Sequence, residues 1–263
     1  CRSFFQFLLG PPPSVNRLYL FNRSAIINTD FMRVLVTGGA GFIGSHLVDR
    51  LVEMQHDVVV LDNLTTGRKE NVNKKARLMF GDIRDPTTVN TAMEGCEAVF
   101  HLAAITDARS GDDDAVYQVN FLGSENVFKL AKNAGAKVIF TSSAAVYGES
   151  RCSEDGDCSP ISQYGKSKLK AEKALQKLGN AFIVRIFNAY GPKSSSVINK
   201  FCSKIPDYKE ITVFGSGLQT RDFVHVNDVV SALLLGLGNT GLYNVGTGVE
   251  TSVLHLIDLI HDI

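Results

Sequence analysis

An apolar run, Val34-Leu35-Val36, leads into Gly38-Gly39-Ala40-Gly41-Phe42-Ile43-Gly44, and a helix-period segment, Ser45 to Val52, follows at once. A strand, a glycine-rich turn and a helix in that order leave few folds open. Gly38, Gly41 and Gly44 let the backbone come close where a side chain would block it. The turn then presents its N–H groups at the positive end of a helix. That is a cradle for a pyrophosphate. Glycines alone are weak evidence, because tight turns use the same residues. The next apolar run, Val58-Val59-Val60-Leu61, adds support by ending in Asp62. An acid about 20 residues past the turn can accept hydrogen bonds from both ribose hydroxyls and repels a 2′-phosphate. The pattern predicts a dinucleotide site that takes NAD rather than NADP.

From Met32 onward, apolar runs alternate with helix-period segments. Candidate strands lie at Arg33–Thr37, Val58–Leu61, Leu78–Phe80, Ala98–Leu102, Val138–Thr141 and Phe182–Arg185. Candidate helices lie at Ile43–Met54, Thr87–Met93, Ala115–Ala134 and Gln163–Leu178. This alternation predicts an α/β, Rossmann-type, doubly wound parallel sheet with helices on both faces. Ligands of such sheets sit beyond the carboxyl ends of the strands. Gly38 to Gly44, Asp62, Asp82, Ala103, Ser143 and Asn188 all follow predicted strands. After Arg185 the pattern shortens to strands at Ile211–Phe214, Phe223–His225 and Leu242–Val245. Helices at Val197–Lys204, Asp228–Leu237 and Val253–Ile263 lie among them. Three parts are expected: an N-terminal extension over 1–31, disordered or outside the fold; an NAD-binding Rossmann domain over 32–185; and a smaller, interleaved substrate-binding region over 186–263. Met32 is a natural start for the fold. The last helix meets no glycine or proline stop, so the C-terminal region is expected to be cut short.

Charge and cysteine usage close off other classes. Of the 263 residues, 27 are basic and 27 acidic, so there is no electrostatic footprint for nucleic acid. No window approaches the roughly 18 apolar residues of a membrane span. The five cysteines are scattered without metal-type spacing, which predicts free thiols in a reducing, cytoplasmic compartment and no metal site. Pairing of Cys152 with Cys158 as a local clip stays open. His101 and His225 lie in predicted strands without companion ligands and read as structural.

Tyr164 and Lys168 stand four apart in a helical run and share a face, which Ala171 and Leu175 continue toward the sheet. A lysine beside a tyrosine favours the phenolate and lowers a pKa that starts near 10. A tyrosine so tuned can take and return a proton on a substrate hydroxyl. The same spacing on its own also fits an ordinary exposed helix. Thr141-Ser142-Ser143 places hydroxyls at the edge of the fifth strand, where Ser143 can bond that same substrate hydroxyl or simply cap the strand.

The glycine turn, Asp62, Gly81-Asp82-Ile83, His101-Leu102-Ala103-Ala104, Ser142-Ser143-Ala144-Ala145-Val146-Tyr147-Gly148 and Tyr164-x-x-x-Lys168 occur in that order. So do Arg185 to Pro192, Gly217 to His225 and Tyr243 to Gly248. The set resembles the NAD-dependent nucleotide-sugar epimerase/dehydratase family of extended short-chain dehydrogenases, and most of all its UDP-glucose 4-epimerase branch. The resemblance runs from about Met32 to the last residue. It implies that Phe42 and Ile43 meet the pyrophosphate with their backbone, and that Asp62 and Asn63 hold the adenosine ribose. Asp82 and Ile83 would flank the adenine, and Leu102, Ala103, Ala104 and Asn120 would line the dinucleotide groove. Ser143, Tyr164 and Lys168 would be the catalytic set, with Lys168 also on the nicotinamide ribose and Phe187 near the nicotinamide. Asn188 and Arg221 would contact the substrate diphosphate, a task that suits the planar guanidinium.

It further implies a homodimer built on the helices at Ala115–Ala134 and Gln163–Leu178, and 4-epimerisation of a UDP-sugar through a transient 4-keto sugar. Dehydratase and decarboxylase branches carry an acid just after the catalytic hydroxyl, where this chain has Ala144 and Ala145. Thr106 stands where some epimerases carry a lysine. A dehydratase, decarboxylase or reductase on the same fold, or a non-catalytic NAD-binding protein, are the alternatives.

Overall fold

Residues 30–106, 111–204 and 211–261 are described by the structure, a computed structural model. The expected N-terminal extension, apart from its last two residues, lies outside the described residues, as do Cys1 and the final two residues of the expected last helix.

The apolar runs become strands β1 (Arg33–Thr37), β2 (Asp57–Asp62), β3 (Arg77–Phe80), β4 (Ala98–His101), β5 (Lys137–Ser143) and β6 (Ala181–Ile186). Helices α1 (Phe42–Glu53) and α2 (Pro86–Met93) follow β1 and β3. Strands β1, β4 and β6 read as almost unbroken apolar runs because both of their faces are covered. Together with β10 (Gly241–Val245) they make a seven-stranded parallel sheet in the order β10-β6-β5-β4-β1-β2-β3. Strand β1 pairs with β2 on one side and β4 on the other, so the winding reverses there. Thr37 sits level with both Leu61 and His101. The register therefore brings the ends of three strands, and the loops that leave them, to one edge, where such sheets bind ligands.

Side chains alternate between the faces. On one face Leu35, Val59, Leu61, Val99, Val138, Phe140 and Ile183 pack with Val89, Val127, Phe128, Ala171 and Leu175 from the helices. Each Val, Leu, Ile and Phe among them contributes on the order of 1.5–3 kcal/mol when fully buried. On the other face α1 packs against α7 (Val226–Leu235), and Gly236 lies against Ile139 and Phe182.

Three departures from the sequence pattern are physical. The expected helix over Ala115–Ala134 divides into α3 (Asp113–Tyr117), a wide π-turn at Gln118–Gly123, and α4 (Ser124–Ala134). The wide turn lets Asn120 reach the backbone of Ile105, and Gly123 lies where a Cβ would strike the Ile83 side chain at 2.8 Å. The expected strand at Ile211–Phe214 does not form: it alternates in burial but has no partner strand among the described residues, and Phe214 is 75% exposed. β10 and α7 belong to the sheet unit, which takes residues 30–186 and 226–245, whereas the sequence pattern assigned everything after 185 to the smaller region. Cys152 and Cys158 carry free thiols, as the scattered cysteines predict, and the local clip left open is not made.

The second unit spans residues 187–225 and 246–261. It pairs β7 (Asn188–Tyr190) with β9 (Phe223–His225) in parallel, and β8 (Thr220–Arg221) with β11 (Thr251–Ser252) antiparallel. Helices α6 (Val197–Cys202) and α8 (Val253–His261) supply its core: Ile198, Phe201, Leu256 and Ile260. No helix among the described residues is long and apolar enough to cross a membrane.

Candidate functional site

The glycine turn is shaped by the space left to it. Gly38 has φ +72°, and a Cβ there would lie 2.7 Å from the Ala103 nitrogen. A Cβ on Gly44 would lie 2.1 Å from the Gly38 oxygen. Gly41 begins α1 without any side-chain cap, which leaves the first helical N–H groups, those of Phe42 and Ile43, to an anion. The cradle fits a pyrophosphate.

Asp62 is 8% exposed and holds the turn from beneath. One carboxylate oxygen accepts from Ala40 N at 2.9 Å, the other from Leu64 N at 2.8 Å. Each oxygen keeps a further lone pair for a ribose hydroxyl. The Ala40 carbonyl in turn accepts from Arg68 N and Asn71 Nδ2, both at 3.1 Å, so the loop after β2 straps the turn. Asn63 Nδ2 donates to Asp82 at 3.3 Å, and Arg84 grips Asp82 through Nε at 3.0 Å and Nη2 at 2.8 Å. The Arg84 bonds hold the Asp82 carboxyl down at about 2, against the opposing effect of burial. Ile83 is buried against Gly123, and its carbonyl accepts from Asn126.

The groove wall after β4 hangs on a directed chain of hydrogen bonds. Leu102 N donates to the Thr37 carbonyl, and Ala103 N to Thr37 Oγ1. Thr37 Oγ1 meets His101 Nδ1 at 2.7 Å, and His101 Nε2 meets Ser124 Oγ at 2.9 Å. Ser124 Oγ donates its proton to the Asn120 carbonyl. It can then only accept from His101, so Nε2 carries the imidazole proton and Nδ1 accepts from Thr37. Burial, with the Lys168 charge behind it, keeps His101 neutral down to about 3. Asn120 is fully buried and bonds both Ile105 N and Ile105 O, so it fixes the edge beyond Ala104.

Tyr164 meets Ser143 at the carboxyl end of β5, and Lys168 reaches the Thr141 carbonyl on the same strand. α5 (Gln163–Leu178) starts at the Ser162 cap, whose hydroxyl accepts from Gly165 N. A Cβ on Gly165 would lie 2.4 Å from the Ala145 oxygen, so glycine there is what lets α5 close onto the turn holding Ala144 and Ala145. Tyr164 is hydrogen-bonded through its hydroxyl to Ser143. Lys168 is 2% exposed, donates to the Thr141 carbonyl at 2.8 Å and stands 4.8 Å above the Phe140 ring. One expectation is corrected: burial pushes the Tyr164 phenol up, with the Ser143 bond only partly opposing it. Lys168 does not lower it, because its ammonium points to Thr141 and burial brings its own pKa down to about 7.

The sequence pattern missed a network behind this set. Glu172, 1% exposed, takes both Nε and Nη2 of Arg185 on β6, at 3.0 and 2.8 Å. Arg185 Nη1 reaches the Tyr147 hydroxyl at 3.0 Å, and that hydroxyl donates to Asn244 Oδ1 at 2.7 Å. A second helical step of four, Lys168 to Glu172, was the available signal.

Phe187, Asn188 and Arg221 belong to the second unit. Asn188 N donates to the Asp222 carbonyl at 3.0 Å. The Asp222 carboxylate grips Thr247 and Gly248, and Gly246 leaves no room for a Cβ beside Asp222 and Phe187. Arg221 is exposed, with Nη1 on the Thr220 carbonyl.

Comparison with known proteins agrees with this geometry. The model of the NAD dependent epimerase/dehydratase family matches residues 34–246. A Methanocaldococcus jannaschii protein, provisionally named a UDP-glucose 4-epimerase, is 41% identical over 88% of this chain and 82% of its own. UDP-glucuronic acid decarboxylase 1 of Arabidopsis thaliana is 32% identical over 88% of this chain, which spans 58% of that longer protein. The crystal structure of the Thermotoga maritima UDP-glucose 4-epimerase with UDP-glucose superposes with a TM-score of 0.83 at 33% identity, covering 88% of this chain and 82% of that one.

Proposed function

The chain belongs to the NAD-dependent epimerase/dehydratase family, and on that premise we propose that it interconverts the C4 epimers of a UDP-sugar of the UDP-glucose/UDP-galactose type. The observation that carries this reading is a proton-handling pair, Ser143 and Tyr164, followed by two alanines where an acid would be needed for elimination or for placing a sugar carboxylate. Gly38, Gly41, Phe42, Ile43 and Gly44 hold the NAD pyrophosphate, Asp62 and Asn63 the adenosine ribose, and Asp82 the adenine end. When bound, NAD supplies a hydride acceptor at the sugar C4 and gives the hydride back.

The protein moves the proton. Tyr164 Oη takes it from the sugar 4-hydroxyl and returns it to the opposite epimer, while Ser143 holds that oxygen in line. A raised phenol suits the return step, and Lys168, brought by burial to about 7, can exchange a proton with that pair near neutrality. Asn188 and Arg221 would hold the substrate diphosphate, about which the transient 4-keto sugar turns. The enzyme works as a cytoplasmic homodimer joined through the α3–α4 segment over Ala115–Ala134 and through α5, where Phe121 and Leu178 are only partly buried and Lys170 lies 4.7 Å over the Tyr117 ring.

The similarity to the plant decarboxylase favours a second reading, release of CO₂ from UDP-glucuronate, which Ala144 and Ala145 weigh against. A panel of UDP-sugars, UDP-glucuronate included, separates the two. Epimers without added reductant are expected; CO₂ release, or no product, refutes the proposal. Tyr164→Phe is expected to lower turnover by about 10²–10⁴-fold with NAD still bound, and unchanged turnover removes Tyr164 from its role.

A further inference from the structure

Tyr164, Lys168 and Glu172 stand four residues apart along α5 and so form one stripe. Lys168 therefore has a carboxylate one turn away, in surroundings where an ammonium and a carboxylate would be expected to pair. They do not pair. Arg185 occupies both Glu172 oxygens, and Lys168 Nζ donates to the Thr141 carbonyl instead.

We propose that Arg185 is a positioning residue for the reaction: by taking both oxygens of Glu172 it keeps that carboxylate off Lys168, and so leaves Nζ seated on the Thr141 carbonyl beside the Ser143–Tyr164 pair. The inference deepens the epimerase reading and rests on Lys168 serving Tyr164.

The guanidinium is built in rather than merely present. It lies 4.8 Å over the Tyr147 ring while bonding the Tyr147 hydroxyl. Tyr147 is tied to Asn244, whose N–H donates to Glu154 at 2.8 Å. Two cations thus share one carboxylate, and Lys168 has the weaker claim. Burial draws the Lys168 pKa down to about 7 while the Glu172 charge opposes it.

The other groups facing Lys168 leave that balance alone. His101, behind the Phe140 ring on β4, is neutral. Tyr147 is held as a phenol, chiefly by burial, and Cys158, beside Arg185, as a thiol. On α4, Glu125 and Lys129 pair with each other at the outer surface, and Asp113 and Asp114 of α3 are exposed. Lys173 is exposed on the outer side of α5.

The test follows the Lys168 ammonium directly, in the full chain labelled with [13Cε]lysine and titrated by NMR without cofactor. Loss of a resonance in Lys168→Met assigns it. Arg185→Gln frees Glu172, and the Lys168 midpoint is expected to rise by about one pH unit or more. In Glu172→Gln/Arg185→Gln the rise disappears, and in Glu172→Gln alone the midpoint falls below that of the wild type. If Arg185→Gln does not fold, Arg185→Lys, which cannot hold both Glu172 oxygens with a planar fork, is expected to raise the midpoint in part. An unmoved midpoint in whichever Arg185 variant folds overturns the proposal.

The pH profile of kcat is then expected to shift with the midpoint. A wild-type protein that epimerises nothing but whose Lys168 midpoint moves as stated refutes the functional reading alone. Epimerisation with immobile midpoints refutes the positioning role alone.

Discussion

His101 gives the most quantitative handle on this molecule. Its imidazole has no contact with solvent, and its Nδ1 accepts from Thr37 while its Nε2 donates to Ser124. Folding therefore lowers its pKa from 6.5 to about 3. A group whose folded pKa lies below its unfolded one stabilises the protein above the unfolded value, and that stability drains away as pH falls toward the folded value. Between pH 7 and pH 4.5 the unfolded imidazole gains a proton that the folded one refuses. Two pH units below 6.5 correspond to about 2–3 kcal/mol. That is a large share of the roughly 5–15 kcal/mol that holds a folded domain.

His101→Gln isolates the effect. A glutamine amide can still accept from Thr37 and donate to Ser124, but it has nothing to titrate. Urea unfolding at pH 7 and pH 4.5 is the assay. Carboxylates and the remaining histidines titrate equally in both proteins and cancel in the comparison. The wild type is expected to lose about 2–3 kcal/mol more than the variant over this interval. Equal losses would refute the argument and mean that His101 is protonated in the folded protein.

Two further substitutions test the cradle. Gly44→Ala drives a Cβ into the Gly38 oxygen, so the NAD recovered from denatured, purified protein should fall by at least about tenfold, equivalent to about 1.4 kcal/mol; undiminished NAD would show that the turn relaxes freely. Asp62→Asn turns an amide N–H toward the N–H of Ala40 or Leu64, and should cost about 1–3 kcal/mol in urea unfolding together with lost NAD retention; a loss of NAD alone would mean that Asp62 does not hold the turn.

Much of this arrangement was legible in the chain. Period, glycine placement and Asp62 are local signals, and strands β1 to β6 and helix α5 follow them closely. What escaped depends on partners far along the chain. The break in the helix near Asn120 is set by Ile105 and Ile83, which no local pattern reports. The Ile211–Phe214 run alternates as a strand should, yet a strand also needs an edge to pair with, and none stands beside it among the described residues. The charge state of Tyr164 was misread because spacing tells which side chains share a face but not where their heads turn. Lys168 turns to Thr141, and Glu172 is claimed by Arg185 from another strand.

The seventh strand has a consequence for synthesis. β10 lies against β6, but the chain leaves β6 to build residues 187–225 before it returns. Until Val245 has been made, β6 is an open edge carrying Phe182, Ile183 and Val184, a template for pairing between chains. Ribosome-bound chains halted between residues 187 and 240 would therefore hold an almost complete cofactor unit with one adhesive side, and closing that side is a long-range step of the kind that folds slowly.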